Sequence, residues 1–260
     1  MYEKEIVAMI ETALKAEKVI NEVYETPFEV EIKKDDSPVT KADKMADKLI
    51  RDELSKLFPD YGFLTEESTD DGSRLNKKMI FVVDPVDGTK EFVSRNGEFT
   101  TNIALVEDHE VVAGVINAPQ RNYLYYATKH GGAYRLDKAT MKAKKIHVND
   151  KVENLLVVKS ISFLNEKEVE LINKHSDRIK EQKSVGAALK FCAIAEGSAE
   201  LQYRIGGFTK EWDVAAGDII LTEAGGFMLK PDGTRYKYNR KDVYNHEGYL
   251  LVNKMDNFLL

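Results

Sequence analysis

Val83-Asp84-Pro85-Val86-Asp87-Gly88-Thr89 is the stretch from which the rest of the chain is best read. It continues Met79-Ile80-Phe81-Val82-Val83, an unbroken apolar run that reads as a buried strand, and it ends that run abruptly. Two carboxylates follow, three residues apart. The proline between them restricts the backbone, and the glycine after them permits a turn that other residues resist. Asp84 and Asp87 can then converge on one point, with the Val86 carbonyl turned the same way. Such an all-oxygen donor set suits a hard cation such as Mg²⁺. If residues 89–92 are helical, the free N–H groups at Gly88 and Thr89 can hold a phosphate beside the metal. Taken alone, the same stretch also reads as an Asp-Pro turn with a helix-capping aspartate.

Working outward, residues 2–24 read as an amphipathic helix with Ile6, Ile10, Ala13, Leu14, Ile20 and Val23 near one face and Glu17 interrupting it. Residues 28–33 alternate like a half-buried strand, and residues 35–38 read as a turn. A second helix is expected over 41–58, with Ala42, Met45, Ala46, Leu49, Ile50, Leu57 and Phe58 inward. Residues 65–78 read as a flexible polar loop, and 99–107, 111–116 and 123–128 as a strand meander. The second half has a different texture. Strands are expected at 155–159 and 249–252, and helices at 165–176, 187–196 and 214–224, the last stopped by Ala224-Gly225-Gly226. The change falls near Asn149-Asp150-Lys151 and divides the chain into halves 1–150 and 151–260.

The chain has 260 residues, 43% of them hydrophobic and 32% charged, enough apolar material for a large core and too much for general disorder. With 38 basic and 44 acidic residues the net charge is −6. No global positive field gathers a nucleic acid polymer, although a small phosphorylated ligand can still be held by local charges or metals. The single cysteine, Cys192, excludes an internal disulfide framework and a Cys-rich metal site. The five histidines lack metal-ligand spacing on a helix. No run approaches the ~20 apolar residues of a membrane span, and the first residues do not read as a signal peptide. The expected compartment is the cytoplasm. Whether the chain is a monomer or a homodimer is left open.

Three further acidic positions carry two readings each. Glu66-Glu67, within Leu64-Thr65-Glu66-Glu67-Ser68, is a surface charge pair or part of a site. Asp213, just after the only tryptophan, is an N-cap or a ligand. Thr40-Lys41-Ala42-Asp43 fits a capping box, or else Asp43 does chemistry.

Four segments in order resemble the lithium-sensitive, Mg²⁺-dependent phosphomonoesterase superfamily that includes inositol monophosphatase. They are Ser37-Pro38-Val39-Thr40-Lys41-Ala42-Asp43, Thr65-Glu66-Glu67, Asp84-Pro85-Val86-Asp87-Gly88-Thr89, and Trp212-Asp213-Val214-Ala215-Ala216-Gly217 with Glu223-Ala224-Gly225-Gly226. Gly88-Thr89-Lys90-Glu91-Phe92, Arg95-Asn96-Gly97-Glu98-Phe99-Thr100, Leu189-Lys190-Phe191-Cys192 and Ala195-Glu196-Gly197-Ser198-Ala199 are most similar to the CysQ-type 3′(2′),5′-bisphosphate nucleotidases within it.

The resemblance implies a five-layer αβαβα sugar-phosphatase fold. It implies a first Mg²⁺ on Glu66, Asp84 and the Val86 carbonyl, a second on Asp84, Asp87 and Asp213, and a third, weaker ion near Glu66 through water. Gly88 and Thr89 would bind phosphate, with Glu66, Val86, Asp87 and Asp213 around it. Asp43, Glu66 and Thr89 would be catalytic, with Asp43 and Thr89 acting on the attacking water and Glu67 standing behind the ligands. The implied substrate is adenosine 3′,5′-bisphosphate, or its sulfated parent. Alternatives are an inositol or broad sugar-phosphate phosphatase, and a non-catalytic metal or nucleotide sensor. Three segments depart from the nucleotidase pattern. Lys159-Ser160-Ile161-Ser162-Phe163 lacks the arginine and histidine usual there. Gly186-Ala187-Ala188-Leu189-Lys190 lacks two hydroxyls, and residues 204–211 carry one extra residue. With those cations missing, Lys190 is the leading group for a second phosphate, with Arg204 behind it.

Overall fold

In the computed structural model, which describes residues 2–32, 38–206 and 209–260, the chain begins with α1 (Glu3–Tyr24). This helix buries Met9, Ala13, Ala16 and Ile20 completely. Glu17 lies beside that stripe because it has partners there: Asn117 Nδ2 donates to it at 2.8 Å and Lys138 Nζ at 2.6 Å. A ribbon of β1 (Val30–Ile32) and β2 (Pro38–Thr40) leads into α2 (Lys41–Leu57). All three β1 residues are exposed. The expectation of a half-buried strand fails there because only a second short strand pairs with it. Phe28 is the inward residue, with its ring 5.0 Å from that of Phe92. Residues 33–37, which hold most of the expected turn and Ser37, lie outside the described residues, as do 207 and 208 of the lengthened segment.

Helix α2 buries Ala42, Ala46, Ile50 and Leu54, a stripe at intervals of four. Met45 and Leu57, expected inside, are exposed. They sit off that stripe. The sheet itself has seven strands in chain order: β3 (Gly62–Thr65), β4 (Met79–Asp87), β5 (Thr100–Glu107), β6 (Glu110–Asn117), β7 (Tyr123–Thr128), β8 (Gly132–Asp137) and β9 (Lys142–Ile146). β3 and β4 are parallel, and the remaining pairs are antiparallel. A one-turn helix, α3 (Thr89–Val93), lies between β4 and β5. The unbroken apolar run of β4 follows from burial on both faces. Phe81 and Val83 pack with α1 and α2, whereas Ile80 and Val82 face the opposite way.

A second, five-stranded sheet follows from β10 (Leu155–Ser160), β11 (Ile179–Val185), β12 (Leu201–Ile205), β13 (Phe227–Leu229) and β14 (Gly248–Val252), in the order β11-β10-β12-β14-β13. Its helices are α4 (Glu166–Lys174), α5 (Leu189–Ala195) and α6 (Glu211–Glu223). α5 and α6 are sandwiched between the sheets, with Ile219 and Ile220 in one apolar cluster with Ile80, Val82, Val158 and Leu251. α6 approaches β6 so closely that a Cβ at Gly114 would lie 2.5 Å from Ile219 Cγ2 and 2.8 Å from the Ala216 carbonyl. The outer face of the second sheet, with Val157, Leu201 and Leu250, packs on Ile172 of α4. The five layers α/β/α/β/α are those expected.

Several strands escape periodicity. β11 reads Ile-Lys-Glu-Gln-Lys-Ser-Val and buries only its ends, as an edge strand does. β9 exposes Lys142, Lys144 and Lys145 for the same reason. β8, β12 and β13 are short and take their character from their neighbours. No helix among the described residues is long and apolar enough to cross a membrane.

Candidate metal and phosphate site

The end of β4 positions the site. After Asp84 the register with β5 breaks and resumes at Asp87 opposite Thr100. That bulge lets both carboxylates face one cavity of about 570 Å³, and Val86 lines it between them. The Val86 N–H donates to Asp84 Oδ1 at 3.1 Å. Asn102 Nδ2 donates to Asp87 Oδ2 at 3.1 Å, and Thr100 Oγ1 lies 3.4 Å from the same oxygen. Asn102 and Thr100 were missed in the sequence, although a polar Thr100-Thr101-Asn102 opening an apolar strand is a signal of sorts.

Glu66 arrives from the end of β3, where its N–H donates to the Val83 carbonyl at 3.2 Å. Asp213 arrives from α6. It is not the N-cap: that is Lys210, whose N–H donates to Asp213 Oδ2 at 2.6 Å, so the aspartate stands at the third helical position and reaches back. Glu66, Asp84 and Asp213 thereby bring carboxylate oxygens within 4.8 Å of one another. Asp87 lines the same cavity beside this trio.

Such crowding is electrostatically costly. Burial, compounded by the charges of Glu66, Asp87, Asp213 and Asp43, holds the Asp84 carboxyl well above the ordinary carboxylate range. Burial with Asp87 and Glu66 raises Asp213 to about 8. Burial also raises Asp87 to about 6, against the opposing pull of Lys190 and the Asn102 hydrogen bond. A divalent cation removes this repulsion, and the donor set contains only hard oxygens. The residues present fit Mg²⁺.

Gly88 caps α3 at φ 90°, a conformation that favours glycine, and a Cβ there would lie 3.2 Å from Ala187 Cβ. Thr89 Oγ1 is 3.3 Å from both Asp43 Oδ1 and the Val86 carbonyl, so its one proton chooses between two acceptors. Asp43 itself serves both readings of the sequence. Its Oδ2 accepts the Thr40 N–H at 2.8 Å and the Thr40 hydroxyl at 2.7 Å, the capping arrangement, while its Oδ1 faces Thr89. Asp43 stands behind Thr89, outside the residues that line the cavity.

The opposite wall comes from the second half. Lys190 is buried, and its Nζ donates to the Ala187 carbonyl at 2.6 Å and lies 3.3 Å from that of Val185. Burial lowers its pKa, while Asp87 opposes that change. Arg204 donates to the Phe163 carbonyl at 2.6 Å and stands 3.6 Å from Glu168. Phe163 itself is 50% exposed, and Lys90 Nζ sits 4.1 Å from its ring centroid. The segment 65–78 is not the loose loop expected. Arg74, in a 3₁₀ turn at Ser73–Asn76, is buried and bonded to Asp70, Asn239 and the Arg240 carbonyl.

The model of the inositol monophosphatase family matches residues 1–257, and the chain belongs to that family. It is 38% identical over 240 residues to the 3′(2′),5′-bisphosphate nucleotidase CysQ of Salmonella typhimurium, covering 91% of this chain and 95% of that protein. The nucleotidase CysQ of Escherichia coli is 36% identical over the same shares. The crystal structure of CysQ from Bacteroides thetaiotaomicron matches with a TM-score of 0.84 at 31% identity, covering 98% of this chain and 99% of that one. The suhB protein of Bartonella henselae matches with a TM-score of 0.82 at 27% identity, over 97% and 95% of the two chains.

Proposed function

We propose that this chain is a Mg²⁺-dependent phosphomonoesterase that removes the 3′-phosphate of adenosine 3′,5′-bisphosphate, giving AMP and phosphate, and that it also accepts the sulfated parent nucleotide. The observation that carries the metal-dependent chemistry is the trio Glu66, Asp84 and Asp213, with oxygens within 4.8 Å in a cavity large enough for a nucleotide. Identity of 38% with a bisphosphate nucleotidase along 91% of the chain supports the substrate. A free buried Cys192 fits a reducing, cytoplasmic setting.

Glu66, Asp84 and the Val86 carbonyl would hold one Mg²⁺, and Asp84, Asp87 and Asp213 a second. When bound, the ions offset the charge of the phosphate dianion, activate water and stabilise the departing oxygen. The Gly88 and Thr89 N–H groups orient the phosphate oxygens. The Thr89 hydroxyl orients the attacking water and takes its proton while passing its own to Asp43 Oδ1 behind it. The cap bonds from Thr40 to the other oxygen keep that carboxylate from rotating away. Lys190, on the opposite wall of the cavity, would meet the second phosphate.

A phosphate-release panel with adenosine 3′,5′-bisphosphate, inositol 1-phosphate and fructose 1,6-bisphosphate tests the reading. Highest kcat/KM on the nucleotide, and none on any substrate without Mg²⁺, is expected. Preference for inositol 1-phosphate would favour the second reading, which rests on the missing cations at residues 159–163. No turnover of any of them would leave a metal or nucleotide sensor.

A further inference from the structure

We propose that Arg74 and Asn239 are positioning residues that hold Glu66 and Asp213 at metal-binding distance. Neither touches the reacting groups. The proposal rests on the reading that Glu66 and Asp213 serve one metal site, and it goes beyond that reading in saying what keeps them together.

The two ligands come from distant parts of the chain. Glu66 directly follows β3, an edge strand of the seven-stranded sheet, and Asp213 lies in the first turn of α6. Each leads into a segment that the other segment grips. On the Glu66 side the chain runs into the 3₁₀ turn carrying Arg74, which is 1% exposed. A guanidinium is almost never buried so deeply unless its donors are matched, and here they are. Nε donates to Asp70 at 2.9 Å, which closes the local loop. Nη1 donates to Asn239 Oδ1 at 2.8 Å and Nη2 to the Arg240 carbonyl at 2.9 Å, across 165 and 166 residues of sequence. Asn239 Nδ2 returns a bond to the Arg74 carbonyl at 3.2 Å.

On the Asp213 side Asn239 and Arg240, the two residues that Arg74 binds, grip the start of α6. Glu211, its first residue, is wholly buried. Its carboxylate accepts the Asn239 N–H at 2.7 Å, the Arg240 N–H at 2.8 Å and Arg240 Nε at 3.1 Å. Asn239 is thus bound by its side chain to Arg74 and by its backbone to Glu211. The connection runs from the segment after Glu66, through Arg74 and Asn239, to the residue two before Asp213. A plain brace for the fold could join any two elements. This one joins the two that must bring oxygens within 4.8 Å. Partners bonded directly to metal ligands typically govern affinity by about 10–100-fold, and a brace one link further back should reach the lower end of that range.

Asn239 offers a clean cut. It stands at φ 57°, where glycine is at ease. Asn239→Gly therefore removes both bonds to Arg74 but keeps the backbone shape and the N–H to Glu211. Mn²⁺ is the probe, with free ion counted by electron paramagnetic resonance in the absence of substrate. Asn239→Gly is expected to weaken Mn²⁺ binding about tenfold or more. The Mg²⁺ concentration for half-maximal turnover should rise equally, and kcat at saturating Mg²⁺ should stay within about threefold of the parent. Arg74→Lys keeps the charge without the fork and should shift affinity the same way; it carries the test if the glycine variant fails to fold. Parent-like Mn²⁺ affinity in a folded variant, whatever its melting temperature, overturns the proposal. Asp213→Asn tests the underlying reading separately. If it loses Mn²⁺ while Asn239→Gly does not, the reading stands and the inference falls. If Asp213→Asn binds Mn²⁺ like the parent, the reading falls and takes the inference with it.

Discussion

On one side of the cavity, Asp84, Val86, Asp87, Gly88 and Thr89 lie within a single stretch of six residues. On the other, Phe163, Lys190, Arg204 and Asp213 arrive from four separate segments. The first wall takes its shape from a strand end, a bulge and one glycine, so covalent connection does most of the positioning. The second exists only because α5, α6 and the five-stranded sheet pack where they do. A substitution on the first wall should therefore remove chemistry and spare the fold. One on the second should change recognition and packing together.

The sharpest break is Asp87→Asn. Its oxygen partners, Asn102 and Thr100, can still bond an amide oxygen, so the fold should hold while turnover falls about 100-fold or more, as when one electrostatic stabiliser is removed. Steady-state kinetics at saturating Mg²⁺ decide the matter, and turnover within a few-fold of the parent would remove Asp87 from the site. Asp43→Asn separates the two duties of one carboxylate. An amide oxygen can replace the cap acceptor, so stability should change by no more than about 1 kcal/mol. The base facing Thr89 is lost, so kcat should fall by about 100-fold. A folded, fully active variant would return Asp43 to capping alone.

Lys190→Ala probes the second wall. We expect KM for adenosine 3′,5′-bisphosphate to rise about tenfold with kcat little changed, the mark of lost uniform binding, and inositol 1-phosphate hydrolysis to be unaffected. Equal weakening on both substrates would mean that the lysine serves mainly to brace the turn through the Ala187 carbonyl. The smallest effect expected is on stability. Because Asp213 and Asp87 are raised to about 8 and about 6 in the metal-free protein, the folded state holds protons that the unfolded chain releases at lower pH. Their contribution is present below the unfolded carboxylate pKa and is lost as pH rises through the folded values. The melting temperature of the metal-free protein should therefore fall between about pH 5 and about pH 9. Saturating Mg²⁺, which binds the ionised carboxylates, should stabilise more at the upper end. A flat calorimetric profile without metal would show the cluster to be less strained than its burial implies.

The legible parts are those where one local rule acts alone. α1 and α2 show their 3.6-residue stripes, β4 shows a strand buried on both faces, and β5 to β7 follow from strand-rich runs set between turns. The Asp84–Thr89 turn declares its donor set because its ligands are neighbours. Glu17 and Met45 mark the limit of that reasoning, since one is held beside the buried stripe by Asn117 and Lys138 and the other falls outside the narrow stripe that α2 buries. β9 and β11 hid because edge strands carry lysine and glutamate in place of a pattern.

By itself, then, the sequence determined the secondary elements with strong periodicity, the oxygen-rich turn, and, through the order of four motifs, the family and its layered fold. Tertiary structure decided that Asp213 meets Glu66 and Asp84, that Asp43 divides its two oxygens between a helix cap and Thr89, and that Arg74 is a buried clamp in what reads as a loop. The reason is range. A turn or a helix stripe depends on residues a few positions apart, whereas these meetings join segments up to 166 residues apart, and only the packing of two sheets around α5 and α6 brings them together.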